Sequence, residues 1–442
     1  MSGDRIARDT AAVFAGRIVA QLLLVVATVL LAAHLGLDAF GRYAVIAGVI
    51  LLANVVTTFG TDMLLIREMA AGRRSVQPAD ALVVQLALSV PAIIAIAMAA
   101  PLIGGGDPGA TAALRIGSWS LLPAAAFSVA TAALRGAGRA GRYAGVGILA
   151  AVIQLGAILA FAPAGVRIGT LGWLLLGCGL ASAAVAWLAA ATVVPGFTLE
   201  RRPTLATLGA TARASAPIGG LAIAGMAYQR AALLGVALAA GPAAAGWFGA
   251  GARILDASKS GHQALYTALY PLHAAGRERS AGPERTTGRL SEARAIAVAR
   301  RRSIVVAGAI AVGILVAGPA LVDRLFGPAF APAATGLAVL ALSLVPSAVA
   351  SHRTIELLAA GAERSIGVAL VASLATLVVL LIALVPRIGW LGGAWALVAA
   401  ECVDAWLLIR ARPAGRNVAH DVAPADRGRS KEVGGELPEP AR

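Results

Sequence analysis

The chain has 442 residues, 59% of them hydrophobic and only 13% charged, with a mean hydropathy of +0.82 and a formal net charge of +15. Soluble chains are about a quarter charged, so this composition excludes an ordinary soluble globular protein. The apolar runs are about 20–25 residues long and lack a period of two, which selects membrane-spanning helices over a β-barrel.

In chain order, we place twelve spans at approximately 11–35, 41–68, 80–104, 112–136, 143–163, 169–194, 211–239, 243–274, 301–326, 331–359, 364–386 and 389–411. The first run follows a short polar start and lacks a small-residue cleavage site, so it reads as a retained helix. The eighth span is the least apolar, because Arg253, Asp256, Lys259 and His262 lie along it. Residues 275–302 read as a linker ending in a basic amphipathic helix suited to anionic headgroups. Residues 413–442 are rich in proline, glycine and charge and read as disordered. Cys178 and Cys402 both fall inside apolar runs and offer neither a disulfide framework nor metal spacing. No cofactor motif is present: neither a P-loop, HExxH nor a nucleophile elbow occurs.

The charge has a pattern. Of 37 basic residues, 27 fall at the two ends of the chain and in the even-to-odd loops, five in the odd-to-even loops and five within spans. This is the positive-inside asymmetry and predicts that both termini are cytoplasmic. It also accounts for the high net charge without nucleic acid. Only Lys259 and Lys431 are lysines, a skew that points to a GC-rich bacterial genome and carries no mechanism.

An internal repeat supports the count. Ser120-Leu-Leu-Pro123, followed by Ala137-Gly138, returns as Ser343-Leu-Val-Pro346, followed by Ala360-Gly361, and Phe40-Gly41 returns as Phe248-Gly249. Each half then holds six spans, an even number, so the halves run the same way around a central path. The expected organisation is an all-α polytopic membrane protein. It has an N-lobe over 1–195, an inter-lobe linker over 196–210, a C-lobe over 211–412 and a tail over 413–442.

Polar groups inside spans are costly and are functional candidates by default. Arg17 and Gln21 sit one turn apart on span one, where Arg17 either lines a cavity or snorkels to the near surface. Asp62 reads as an ion-pair partner or as a first-turn residue after a break at Gly60. Arg230 lies too deep in span seven to snorkel easily. On span eight Asp256 is three residues from both Arg253 and Lys259, which allows an ion-pair ladder or a cationic strip facing a cavity. On span ten His352 and Arg353 are spaced to pair with Glu356, with proton coupling through His352 or Glu356 as the alternative. Glu401 and Asp404 on span twelve read as structural.

Several stretches resemble the polysaccharide-biosynthesis, or oligosaccharide-flippase, branch of the superfamily that also holds multidrug and toxic-compound extruders and lipid II flippases. They are Leu35-Gly-Leu-Asp-Ala-Phe-Gly-Arg-Tyr43, Phe59-Gly60 and Arg67-Glu68, Ala216-Pro-Ile-Gly-Gly220, Tyr228-Gln-Arg-Ala-Ala-Leu-Leu-Gly235, Ala245-Gly-Trp-Phe-Gly-Ala-Gly-Ala-Arg-Ile254, Tyr270-Pro271 and Leu325-Phe-Gly-Pro-Ala-Phe330. The resemblance covers residues 5–410. It implies two six-helix lobes around a cavity and alternating access in a bacterial inner membrane. It further implies translocation of a lipid-diphosphate-linked glycan, such as a lipopolysaccharide precursor, by a monomer with membrane lipids and glycan polymerase or ligase machinery as partners. Many relatives have an aspartate where this chain has Gln229, so an acid-dependent mechanism is in doubt.

Diphosphate requires cationic partners, and Arg17, Arg230, Arg253, Lys259 and Arg353 form the candidate set. Asp62, Asp256, His352 and Glu356 are the candidates for ion coupling or ion pairing. A cation-coupled drug exporter is the second reading, weakened by Gln229 and by the surplus of intramembrane arginine. A membrane glycan polymerase or glycosyltransferase is the third, and the short odd-to-even loops leave it no catalytic domain.

Overall fold

The computed structural model describes residues 3–73, 75–161, 165, 167–195, 197, 203–279, 286–360 and 362–411, with side chains described from residue 13 except at 260–297, 299 and 359. The described residues form helices and no strands. The helices are α1 (Gly3–Leu35), α2 (Leu37–Thr58), α3 (Thr61–Ala70), α4 (Pro78–Ile103), α5 (Pro108–Ser118), α6 (Leu121–Gly136) and α7 (Ala140–Phe161). They continue as α8 (Leu171–Val193), α9 (Leu205–Arg279), α10 (Thr286–Phe326), α11 (Ala333–Ala341), α12 (Leu344–Ala359), α13 (Glu363–Ile388) and α14 (Trp390–Arg410).

Among the described residues nine helices are long and apolar enough to cross a membrane, or eleven if each of two bent pairs is one span. The 75-residue α9 is itself two helices, broken where Gly241 takes φ 85° and ψ −176°. A Cβ at Gly249 would meet Leu233 at 3.8 Å. Sixteen residues along one straight helix would separate them by about 24 Å. The chain therefore folds back at Gly241, and dividing α9 there brings the spans to twelve. The same backbone state recurs at Gly36 (φ 74°, ψ 175°), between α1 and α2. This region is accessible essentially only to glycine. Spans one and two, and seven and eight, are thus joined by equivalent one-residue reversals.

The repeat read from the sequence has a structural counterpart. The α5–α6 pair bends by 41° where Ser120-Leu-Leu-Pro123 begins, and the α11–α12 pair by 42° where Ser343-Leu-Val-Pro346 begins. Proline at the third helical position leaves the preceding turn short of one N–H, consistent with a break there.

Some boundaries differ from expectation. Span two is not continuous over 41–68: Phe59 (φ 47°) and Gly60 (φ 73°) are left-handed and divide α2 from α3. The expected linker over 196–210 is already helical from Leu205, and helix occupies 275–279 and 286–302. The amphipathic face expected in 275–302 and the tail over 413–442 lie outside the described side chains and residues.

The lobes meet where α2 packs along α9. A Cβ at Gly41 would collide with the Pro242 carbonyl oxygen, and one at Gly60 would lie 2.6 Å from the Gly219 nitrogen. Glycine at these two points is what lets the backbones approach. The odd-to-even turns gather at one end. There Arg42 Nη1 lies 2.8 Å from Asp107 Oδ2, Trp247 Nε1 donates to Ala329 O at 3.1 Å, and Trp247 packs on Trp390 at 5.9 Å between centroids. Phe40 of α2 meets Phe330 at 5.6 Å and Phe326 at 6.2 Å, closing that end across the seam. At the opposite end, the Thr207 hydroxyl donates to Asp80 Oδ1 at 3.0 Å, and Asp80 Oδ2 accepts from the Gln77 N–H at 3.2 Å.

Candidate functional site: a cationic cavity at the lobe seam

A cavity of about 80 Å³ lies where α2 faces both limbs of α9. Its apolar walls come from residues such as Phe40, Leu51, Leu233 and Phe248. Its polar lining is Tyr43, Gln229, Arg230, Arg253 and Asp256. The fold-back at Gly241 creates this grouping, because it places Arg230 on the descending limb opposite Arg253 and Asp256 on the returning one. Arg230 lies within the electrostatic reach of both Arg253 and Asp256. Two guanidinium groups and one carboxylate leave the cluster with an excess positive charge.

The Arg230 Nε is buried and makes no hydrogen bond to any described residue. Leaving such a donor unmatched costs about 1–3 kcal/mol, so the position invites an acceptor. Small residues at Ala44, Ala47, Gly48 and Ala252 keep the cavity open, and a Cβ at Gly48 would approach the Arg230 Cδ at 4.0 Å. In this conformation the space suits a few waters and no saccharide.

The remaining candidates are elsewhere. Arg17 is exposed on α1, and none of the described residues forms an ion pair with it. Lys259 points to α14, where its Nζ lies 2.8 Å from Glu401 Oε1, with both side chains largely enclosed. Asp404, one turn beyond Glu401, accepts from the Ser373 hydroxyl at 3.3 Å. Arg353 Nη1 is 2.5 Å from Glu356 Oε2, and Arg300 Nη1 is 3.6 Å from the other carboxylate oxygen. Arg353 also donates to the last carbonyls of α14, from Nε to Leu408 O at 3.2 Å and from Nη2 to Ala411 O at 3.0 Å. It thereby satisfies acceptors that every helix terminus leaves over. His352 is buried beside it. Asp62 lies in the first turn of α3, behind the left-handed Gly60, where a carboxylate complements the helix dipole. His262 lies outside the described side chains.

The structure thus unites Arg230, Arg253 and Asp256, and holds Arg17, Lys259, Arg353, Glu356, His352 and Asp62 apart from them. It adds Tyr43 and Gln229. Tyr43 was visible in the Phe40-Gly-Arg-Tyr43 stretch, but no pattern singled out its face. The Lys259–Glu401 pair joins residues 142 apart and has no local signal.

A family described as polysaccharide biosynthesis protein matches residues 6–275, more than half of the chain. No curated protein sequence matches it. Among solved structures, the chain is similar to an inward-facing multidrug resistance MATE family transporter of the MOP superfamily. The identity is 17%, with a TM-score of 0.69 over 88% of this chain and 94% of that one. An outward-facing structure of such a transporter gives 15% identity and a TM-score of 0.65 over 92% and 95%. A MOP superfamily transporter from Pyrococcus furiosus, described by the reversed polarity of its binding pocket, gives 17% and 0.66 over 91% and 93%. At such identities the likeness establishes the fold. The chain is a multi-pass membrane protein that belongs to the polysaccharide biosynthesis protein family and has the fold of MOP-superfamily transporters.

Proposed function

We propose that this transporter is a flippase that moves a lipid-diphosphate-linked oligosaccharide between leaflets by alternating access at the seam between its lobes. The observation that carries the reading is the pairing of Arg230 and Arg253 across the Gly241 reversal, with a buried guanidinium N–H of Arg230 left without a partner. Arginine offers planar, paired donors that match phosphate oxygens. The Asp256 carboxylate offsets one charge and orients the guanidinium groups. Gln229, exposed beside Arg230, offers amide donors and acceptors suited to hydroxyl groups of a sugar. The excess of basic residues in even-to-odd loops supports cytoplasmic termini and places the Gly36 and Gly241 turns at the outer face. With that orientation, an inside-negative potential favours outward movement of an anion by roughly 2.3 kcal/mol per charge per 100 mV. Family membership supports a polysaccharide precursor as cargo, and the reversed pocket polarity named for the Pyrococcus furiosus transporter supports variation of charge within this fold.

The test is translocation of a fluorescent lipid-diphosphate oligosaccharide in reconstituted vesicles. Arg230→Gln and Arg253→Gln should each lower the rate by about tenfold or more, the effect of losing one charge-assisted bond. Wild-type rates in both variants, at equal protein, would contradict the reading.

A further inference from the structure

The second cavity of the molecule has a different chemistry. It is a groove of about 480 Å³ between α7 and α8, lined by Ile153, Ala157, Phe161, Thr170, Trp173, Leu174, Gly177 and Cys178. Its lining is apolar apart from Thr170, whose hydroxyl donates to Arg167 O at 2.7 Å and asks nothing of a ligand. Phe161 and Trp173 are exposed at its rim, so the groove opens outward from the helices. Leu174 forms its floor and belongs to the same packed cluster as Tyr43, Leu233 and Phe248, which wall the cationic cavity. Tyr43 lies within electrostatic reach of Arg253 on one side and of Cys178 on the other. A single aromatic side chain therefore separates the polar cavity from the apolar groove.

We infer that the groove between α7 and α8 holds the aliphatic tail of the lipid-linked substrate while its diphosphate occupies the Arg230–Arg253 cavity. The inference rests on the proposed function. An amphiphile bound by its diphosphate inside the bundle must lead its chain out between helices, and hydrocarbon gains about 25 cal/mol per Å² by leaving polar surroundings. The Tyr43–Cys178 wall provides the shortest boundary on the page between the two chemistries. Continuity with the cationic cavity favours the substrate's own chain over that of a bulk phospholipid.

Gly177 provides the test, because a Cβ there meets nothing within 4 Å. Gly177→Leu fills the groove without a clash against the protein. The probe is a long-chain isoprenoid diphosphate bearing a photoreactive diazirine in its tail. Wild-type protein should be labelled within residues 153–178, excess unlabelled isoprenoid diphosphate should suppress the labelling, and excess phosphatidylglycerol should not. Gly177→Leu should lower labelling about tenfold, the effect of losing roughly two buried methylenes of contact. Labelling elsewhere, labelling unchanged by Gly177→Leu, or equal suppression by phosphatidylglycerol would overturn the inference. Oligosaccharide translocation is measured on the same preparations. Translocation without labelling in the groove defeats the groove alone, whereas groove labelling in a protein that moves no lipid diphosphate defeats the proposed function alone.

Discussion

Lys259 and Glu401 form an ion pair of 2.8 Å between the returning limb of α9 and α14, inside the C-lobe and away from the seam cavity. Both side chains are largely enclosed, so removing one strands the other in a low-dielectric setting, at a cost of about 3–5 kcal/mol. Lys259→Ala should therefore lower the melting temperature in detergent sharply. The double variant Lys259→Met with Glu401→Leu should recover most of that loss, because an apolar pair of similar volume has no charge to strand. A stable Lys259→Ala protein that has lost substrate binding would instead make Lys259 part of the anion site.

The reversals at Gly36 and Gly241 share a backbone state closed to other residues. Gly36→Ala and Gly241→Ala should each cost about 1–3 kcal/mol, and by similar amounts, although no Cβ at either position would touch a neighbour. Thermal denaturation of the two variants checks this. A destabilised Gly36→Ala beside a neutral Gly241→Ala would mean that α9 tolerates a continuous path through residue 241.

The sequence carried the spans, the repeat and the presence of cations within the bilayer, because hydrophobic length and charge asymmetry are properties of consecutive residues. Arg230 and Arg253 were legible as candidates, but their convergence depends on the fold-back at Gly241, which one glycine before Pro242 only hints at. The fates of Lys259 and Arg353 were not legible. Helical spacing pairs a residue only with neighbours three or four away, whereas Glu401 and the α14 carbonyls reach these cations from across the lobe. Asp80 and Thr207 show the same limit, since their hydrogen bond joins the starts of α4 and α9 across 127 residues.

Arg353 closes the end of α14 by donating to Leu408 O and Ala411 O while pairing with Glu356. A lysine keeps the charge but loses the planar set of donors, so Arg353→Lys should not substitute for arginine. Arg353→Ala and Arg353→Lys should both destabilise by about 2 kcal/mol, and hydrogen exchange at the last turn of α14 should accelerate in both. Full protection in Arg353→Lys would reduce the role of Arg353 to its charge.

The central claim is that the seam cavity selects an anionic head. Its most direct measurement compares two substrates on one preparation of vesicles holding an inside-negative potential: a lipid-diphosphate oligosaccharide and an amphiphilic cationic dye. The wild-type protein should move the diphosphate and leave the dye, and the double variant Arg230→Gln with Arg253→Gln should move neither. Movement of the dye by the wild-type protein, with the diphosphate left in place, would contradict the account and make this chain a cation exporter.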